Sequence, residues 1–182
     1  MTSANQLTIL RMTSAPIFIL FVVYGYLAGA VVTFFLAAGT DVLDGLIARQ
    51  FSQKTALGTF LDPIADKLLL VSAFVVLSLS GLELTSTIPL WLTITVISRD
   101  ILLVVAVLVI NLTLGRRAFP PSLFGKATTL AQLLTVLFVL LGSYLQRPMP
   151  FLDPLIYLTL VLTVGSGIHY LARGMRILST TE

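Results

Sequence analysis

Cysteine is absent from the 182-residue chain, which excludes disulfides, zinc–thiolate sites and thiol chemistry and leaves the redox compartment open. Charge is scarce as well: Asp, Glu, Lys and Arg make up 10% of the residues, against about 25% in an ordinary soluble chain. What fills the space is hydrocarbon, since 57% of the residues are apolar. They come in long runs, not in the alternation of a half-buried strand. Runs of about 20 apolar residues match the hydrocarbon thickness of a bilayer. A soluble domain of this length could not bury so much apolar surface. The composition therefore predicts an all-α integral membrane protein, a single domain over residues 1–182. The net charge of +3 is small and forms no basic face suited to nucleic acid, so membrane lipids are the expected surroundings and no nucleic-acid partner is expected. Asn5, Gln6 and Arg11 precede the first apolar run, and no small-residue cleavage site ends it, so the first helix is expected to be retained.

Six transmembrane helices are expected, at roughly 6–25, 28–50, 56–80, 87–112, 123–145 and 154–175. Turn formers and polar residues break the pattern at Gly25, Gln50 to Lys54, Gly81 to Thr87, Leu114 to Pro121 and Gln146 to Pro154. Connections this short make consecutive helices antiparallel neighbours in a bundle. Basic residues favour one side of the membrane: Arg11, then Arg49 and Lys54, then Arg116, Arg117 and Lys126, then Arg173 and Arg176. The opposite connections carry no basic residue, Glu83, and Arg147 beside Asp153. The positive-inside rule then places both termini in the cytoplasm, with Arg147 alone dissenting. Without a transit segment ahead of the first span, a bacterial inner membrane is the expected location.

Four of the six aspartates fall inside or at the edge of apolar spans: Asp41, Asp44, Asp62 and Asp66. A carboxylate at membrane depth costs about 2.5–3.5 kcal/mol on insertion scales, so four together demand compensation. Asp41 and Asp44 are three residues apart and Asp62 and Asp66 four apart, so each pair shares a helix face. Helical rise puts Asp41 about 12 Å before Arg49, and Asp62 and Asp66 about 10–17 Å beyond Thr55. On adjacent antiparallel helices the two pairs would meet at similar depth, in a polar, metal-binding cavity open to the cytoplasm. Four like charges stay ionised together only with positive charge among them. Arg49, Lys67 and Arg99 are candidates, in a structural ion-pair network, and so are divalent ions. An all-oxygen cluster suits Mg²⁺ or Mn²⁺ better than zinc. Gly45, Ala48 and Gly58 near these carboxylates either permit close helix packing or leave room for a nucleotide. Pro63 frees a carbonyl near the start of the third span.

The stretch DVLDGLIARQFSQKTALGTFLDPIAD resembles the signature of the CDP-alcohol phosphotransferases, D-x2-D-G-x2-A-R-x8-G-x3-D-x3-D. Asp41, Asp44, Gly45, Ala48, Arg49, Gly58, Asp62 and Asp66 match every fixed position and spacing. The resemblance implies two divalent metals held by Asp41, Asp44, Asp62 and Asp66, with Asp66 also the general base. It implies that Gly45, Ala48 and Gly58 border the CDP moiety and that Arg49 lies near its phosphates. The N-terminal run Asn5-Gln-Leu-Thr8-Ile-Leu-Arg11 is similar to a short segment of the same family, Asn-x-Leu-Thr-x-x-Arg, which brings Thr8 to the CDP site; the run also reads as a capped interfacial helix. The implied activity is transfer of a phosphatidyl group from CDP-diacylglycerol to an alcohol, with release of CMP, by a homodimer.

The acceptor is read from elsewhere. Asp62-Pro63-Ile-Ala-Asp66-Lys67 and Gly125-Lys126-Ala-Thr-Thr129-Leu-Ala-Gln132 resemble runs of phosphatidylglycerophosphate synthases. Glycerol 3-phosphate is a dianion and needs cations at the cytoplasmic mouth, where Lys126, Arg116 and Arg117 are available with Thr129 one turn on; positive-inside anchoring is their other reading. Arg99-Asp100 inside the fourth span is either functional or a mutual ion pair. It resembles cardiolipin synthases, which use phosphatidylglycerol, more than the Arg-Glu of phosphatidylglycerophosphate synthases. Glycerol 3-phosphate is favoured as acceptor, with Arg99, Arg116, Lys126 and Thr129 to bind it, and phosphatidylglycerol is the alternative. A cation transporter would explain the intramembrane acids but not the Gly45, Ala48, Arg49 and Gly58 spacings. A catalytically dead scaffold would not keep all four aspartates. His169 and Tyr170 read as packed or interfacial residues, Trp91 and Tyr144 as interfacial anchors, and Phe34, Phe35 and Phe60 as packing or lipid contacts.

Overall fold

The computed structural model describes residues 3–47, 56–114 and 123–179, with side chains described for 12–39, 67–106, 108, 109, 123–173 and 175. Six helices follow one another: α1 (Ser3–Val23), α2 (Leu27–Ile47), α3 (Ala56–Leu77), α4 (Leu90–Leu114), α5 (Leu123–Tyr144) and α6 (Leu152–Ser179). There is no strand among the described residues. Each helix coincides with one of the six apolar stretches, and the ends differ for local reasons. α4 begins at Leu90 rather than at 87 because the Pro89 carbonyl accepts the first helical bonds, from the amides of Leu92 and Thr93. α6 begins ahead of Pro154, which falls in the first turn where a missing N–H costs nothing. α5 and the Leu152–Arg173 part of α6 are long and apolar enough to cross a bilayer.

The chain packs as two compact units: Met1–Ile88 with Val136–Pro150, and Pro89–Thr135 with Phe151–Glu182. In the first, α1 packs against both α2 and α3. α1 and α2 form an antiparallel hairpin about Gly25. The Phe18 and Phe34 rings meet at 5.8 Å between centroids. Nearer the turn Gly29 gives way to Phe21, whose ring would lie 3.1 Å from any Cβ there. The hairpin turns on a Schellman cap: the Tyr26 amide donates to the Phe21 carbonyl and the Gly25 amide to that of Val22, with Gly25 at φ +74°. Leu69, Leu70, Ala73, Phe74 and Leu77 of α3 are buried with Ala15, Phe18 and Val22 of α1. The Ile88 amide closes the loop after α3 onto the Leu77 carbonyl at 3.0 Å.

In the second unit three helices run in alternating directions. Trp91 stacks on Tyr157 and Arg99 bonds Ser166, so α4 and α6 run parallel. Phe124 meets His169 while Thr135 meets Thr159, so α5 runs against α6. α5 ends, within the first unit, on a second Schellman cap: Arg147 N–H to the Gly142 carbonyl and Gln146 N–H to that of Ser143. Here the left-handed position is Gln146, at φ 52°.

The two caps share one geometry and differ in the residue at the left-handed position, so substitutions there should have opposite signs. Left-handed backbone costs a residue with a Cβ about 1 kcal/mol. Gly25→Ala should lower the thermal midpoint of the detergent-purified protein and Gln146→Gly should raise it. Changes of the same sign would show that the caps do not limit stability.

Candidate active site

The second unit buries a polar seam beside apolar residues such as Leu92, Val96 and Ile156, and its outer face is apolar. Thr128, Gln132 and Thr135 of α5 and Thr159, Thr163 and Ser166 of α6 are all fully buried. Ile101, Val104 and Val105 of α4 and Tyr157, Val161 and Ile168 of α6 are exposed. The hydroxyls tie the helices together. Thr128 Oγ1 lies 2.8 Å from the Phe124 carbonyl of its own helix and 3.0 Å from the Leu162 carbonyl of α6, one proton serving two acceptors. Thr135 Oγ1 bonds the Ala131 carbonyl at 2.8 Å and Thr159 Oγ1 at 2.9 Å. Gln132 reaches Thr163 Oγ1 through its amide nitrogen at 3.5 Å, while its Oε1 accepts from no described residue. Polar residues thus recur every three or four positions on two facing helices, and interhelical hydrogen bonds serve as glue where apolar burial cannot.

At one end of this seam lies the pair expected from the fourth span. Arg99 is 7% exposed and Asp100 9%. Arg99 Nη1 donates to Asp100 Oδ1 at 2.7 Å, so the ion pair forms. Arg99 also reaches α6: Nε donates to Ser166 Oγ at 3.0 Å, and the guanidinium carbon lies 6.0 Å from the centre of the Tyr170 ring. Ser166 in turn donates to the Thr163 carbonyl at 2.9 Å.

The proposed acceptor residues are gathered only in part. Phe124 and Thr128, which flank Lys126, meet the stretch of α6 from Leu162 to His169, and Arg99 meets Ser166 and Tyr170. Arg99 and the first turns of α5 therefore share one level of α6. Lys126 is exposed there, off the buried seam, and Thr129 is half-buried with its hydroxyl on the Gly125 carbonyl at 3.1 Å. Arg116 and Arg117 lie outside the described residues.

On the donor side the backbone alone is described. Asp41, Asp44 and Gly45 lie on α2, Gly58, Asp62 and Asp66 on α3, and Thr8 on α1. Their side chains and that of Phe60 lie outside what is described, as do Ala48, Arg49 and the meeting of the two aspartate pairs. The helical periodicity that pairs the acids is present on both elements, and both elements pack on α1. His169 is exposed, with its ring 5.5 Å from that of Phe124 and edge-on to that of Tyr170 at 6.2 Å. Trp91 is 44% exposed and Tyr144 52%, as anchors would be; Phe34 is buried and Phe35 exposed. Missed from the sequence was Ser166, together with the threonine seam; their signal is the spacing 159, 163, 166, 170 within an apolar span.

Comparison with known proteins bears on the same residues. A family model described as CDP-alcohol phosphatidyltransferase matches residues 1–165. A Mycobacterium tuberculosis protein named "Probable phosphatidylglycerophosphate synthase" is 37% identical over 95% of this chain and 81% of its own length. The Bacillus subtilis CDP-diacylglycerol–glycerol-3-phosphate 3-phosphatidyltransferase is 30% identical over 98% of this chain and 97% of its own. A Schizosaccharomyces pombe cardiolipin synthase (CMP-forming)/mitochondrial hydrolase fusion protein is 35% identical over 93% of this chain but 30% of its own length. With the eight motif positions on α2, on α3 and between them, and the family match covering nearly all of its length, the chain belongs to the CDP-alcohol phosphatidyltransferase family.

Proposed function

We propose that this protein transfers the phosphatidyl group of CDP-diacylglycerol to glycerol 3-phosphate, giving phosphatidylglycerophosphate and CMP. The observation that carries this is the ungapped set Asp41, Asp44, Gly45, Ala48, Arg49, Gly58, Asp62 and Asp66 in a chain of this family. The names of the Mycobacterium tuberculosis and Bacillus subtilis relatives support glycerol 3-phosphate as acceptor.

The six helices would each cross the membrane, with both termini in the cytoplasm of a bacterial inner membrane. Their lengths of 21 to 28 residues, about 32–42 Å at helical rise, support this. So does the apolar outer face of the second unit, which would aggregate in water. The donor's acyl chains then never leave the bilayer. By the family resemblance the chain works as a homodimer.

The donor set of four carboxylates, with no thiol in the chain, fits hard divalent cations, and the family is generally divalent-cation dependent. Two Mg²⁺ or Mn²⁺ ions held by Asp41, Asp44, Asp62 and Asp66 would neutralise the pyrophosphate and the charge that grows on departing CMP. Gly45, Ala48 and Gly58 leave space for the nucleotide beside these acids, Thr8 closes the site from α1, and Arg49 holds the phosphates. Arg99, Lys126, Thr129 and Arg116 hold the acceptor. The Asp66 carboxylate takes the proton of the acceptor hydroxyl. That oxygen bonds the lipid-linked phosphorus, the bond to CMP breaks, and CMP leaves with the electron pair. Positioning and charge supply most of the acceleration in phosphoryl-type transfers.

Phosphatidylglycerol, which would make the protein a cardiolipin synthase, is the second reading. The Arg99–Asp100 pair and the Schizosaccharomyces pombe relative favour it.

Purified protein given CDP-diacylglycerol, Mg²⁺ or Mn²⁺ and a panel of alcohols should release CMP with glycerol 3-phosphate, and the product mass should name the acceptor. Absence of CMP with every alcohol would return the aspartates to an ion-transport or scaffold role. Chelation should stop turnover and added Mg²⁺ or Mn²⁺ should restore it. Asp66→Asn should lower turnover by at least about 100-fold, the contribution of a positioned general base, with the thermal midpoint retained. Full turnover in that variant would assign the proton elsewhere.

A further inference from the structure

We propose that Ser166 is a positioning residue: from α6 it fixes the plane of the Arg99 guanidinium so that its unused N–H groups are held ready for the anionic group of the acceptor. This deepens the acceptor role given to Arg99 above and rests on it.

The bond is directional. The Ser166 proton is committed to the Thr163 carbonyl at 2.9 Å, so toward Arg99 the hydroxyl oxygen can only accept, and it accepts from Nε at 3.0 Å. Asp100 takes Nη1 at 2.7 Å. Two nitrogens of a planar group held by two different helices leave it no torsional freedom. The Arg99 stem runs against the α6 backbone at Gly167, where a Cβ would stand 3.6 Å from Arg99 Cγ in ordinary van der Waals contact. The Tyr170 ring, one turn beyond Ser166, lies 6.0 Å from the guanidinium carbon.

What remains is the second terminal nitrogen, Nη2, with no hydrogen bond to a described residue, and one N–H of Nη1. A guanidinium presents five N–H groups in a fixed fork that matches two phosphate oxygens. Were Ser166 only a tie between α4 and α6, any apolar contact of its size would serve. Its orientation by the Thr163 carbonyl instead sets which edge of Arg99 is left open. Burial of Ser166 and near-burial of Arg99 and Asp100 keep water from competing for that arrangement. An arginine already held in its binding conformation loses less freedom when an anion arrives, which favours affinity for the acceptor rather than the rate of the chemical step.

The test is steady-state CMP release by the full chain in detergent or vesicles. Glycerol 3-phosphate is titrated at saturating CDP-diacylglycerol, or phosphatidylglycerol if that is the alcohol turned over. Ser166→Ala should raise the acceptor KM about three- to ten-fold, the range expected for an ordinary hydrogen bond lost one step away from the ligand. The KM for CDP-diacylglycerol and kcat should stay within about two-fold. Ser166→Thr, which keeps a hydroxyl, should recover most of the loss. If Ser166→Ala does not accumulate, Ser166→Cys keeps the volume with a weaker acceptor and should give the same split. Arg99→Lys serves as reference and should raise the acceptor KM further. An unmoved acceptor KM in Ser166→Ala beside a raised one in Arg99→Lys would overturn the positioning role alone. No movement in either would overturn it together with the acceptor role of Arg99. A parallel fall of kcat and rise of both KM values in Ser166→Ala, tracking a lower thermal midpoint, would reduce Ser166 to a structural tie.

Discussion

A hydroxyl, amide or guanidinium taken out of water has to find a partner in the protein, because leaving it alone costs about 1–3 kcal/mol and more if it is charged. Much of the second unit follows from that requirement. Its interior holds Arg99, Asp100, Ser166, Gln132 and five threonines beside apolar residues, and its outer face holds valine, isoleucine and leucine. Each threonine on α5 first satisfies its own proton on a carbonyl four residues back, at 2.8 Å for both Thr128 and Thr135. The same oxygens then face α6. Such residues can lie in an apolar helix without an orphaned donor and still offer an attachment point for a neighbour.

The requirement also sets helix direction. Thr128 and Thr135 meet Leu162 and Thr159 in reverse order, which fixes α5 against α6. Arg99 is tied to Ser166, and Trp91 stacks on Tyr157 eight residues earlier in the one helix and nine in the other, which fixes α4 along α6. The first unit relies on a different device. Its α1–α2 hairpin is made by a glycine that accepts a left-handed backbone and by phenylalanines that fill the space beside small residues. Among the described residues, interhelical polar linkage thus ties α5 and α4 to α6, and aromatic and aliphatic packing joins α1 to α2 and α3.

The six helices were legible because each coincides with a long apolar run set off by turn formers and polar breaks. The ends were less legible, since they depend on single carbonyls and prolines: Pro89 delayed α4, and Pro154 was absorbed into the first turn of α6 instead of preceding it. The aspartates could be picked out because a carboxylate in an apolar run has no cheap explanation. Arg99 and Asp100 stood out for the same reason, and their mutual pairing was one of the two readings open. Ser166 and Thr163 were hidden by their chemistry. A serine or threonine costs little in an apolar helix because it can bond its own backbone, so its presence signals nothing until the facing helix is known. The Gln146 turn was marked only as a break, because glutamine carries no sign of a left-handed backbone.

Choice of acceptor is where overall similarity stops being informative. Relatives named for phosphatidylglycerophosphate synthesis and for cardiolipin synthesis match this chain at 37% and 35% identity. What separates the two acceptors is charge: glycerol 3-phosphate carries a phosphomonoester dianion, whereas phosphatidylglycerol presents a singly charged phosphodiester. Among the described residues, the level of α6 that holds the Arg99–Asp100 pair also receives the turn of α5 carrying the exposed Lys126, a second cation. Arg99 alone would be neutralised by its neighbour and would suit a monoanion or a hydroxyl. With Lys126 counted, the balance turns positive and suits a dianion. In the acceptor role proposed for it, Lys126 would favour the smaller and more highly charged alcohol.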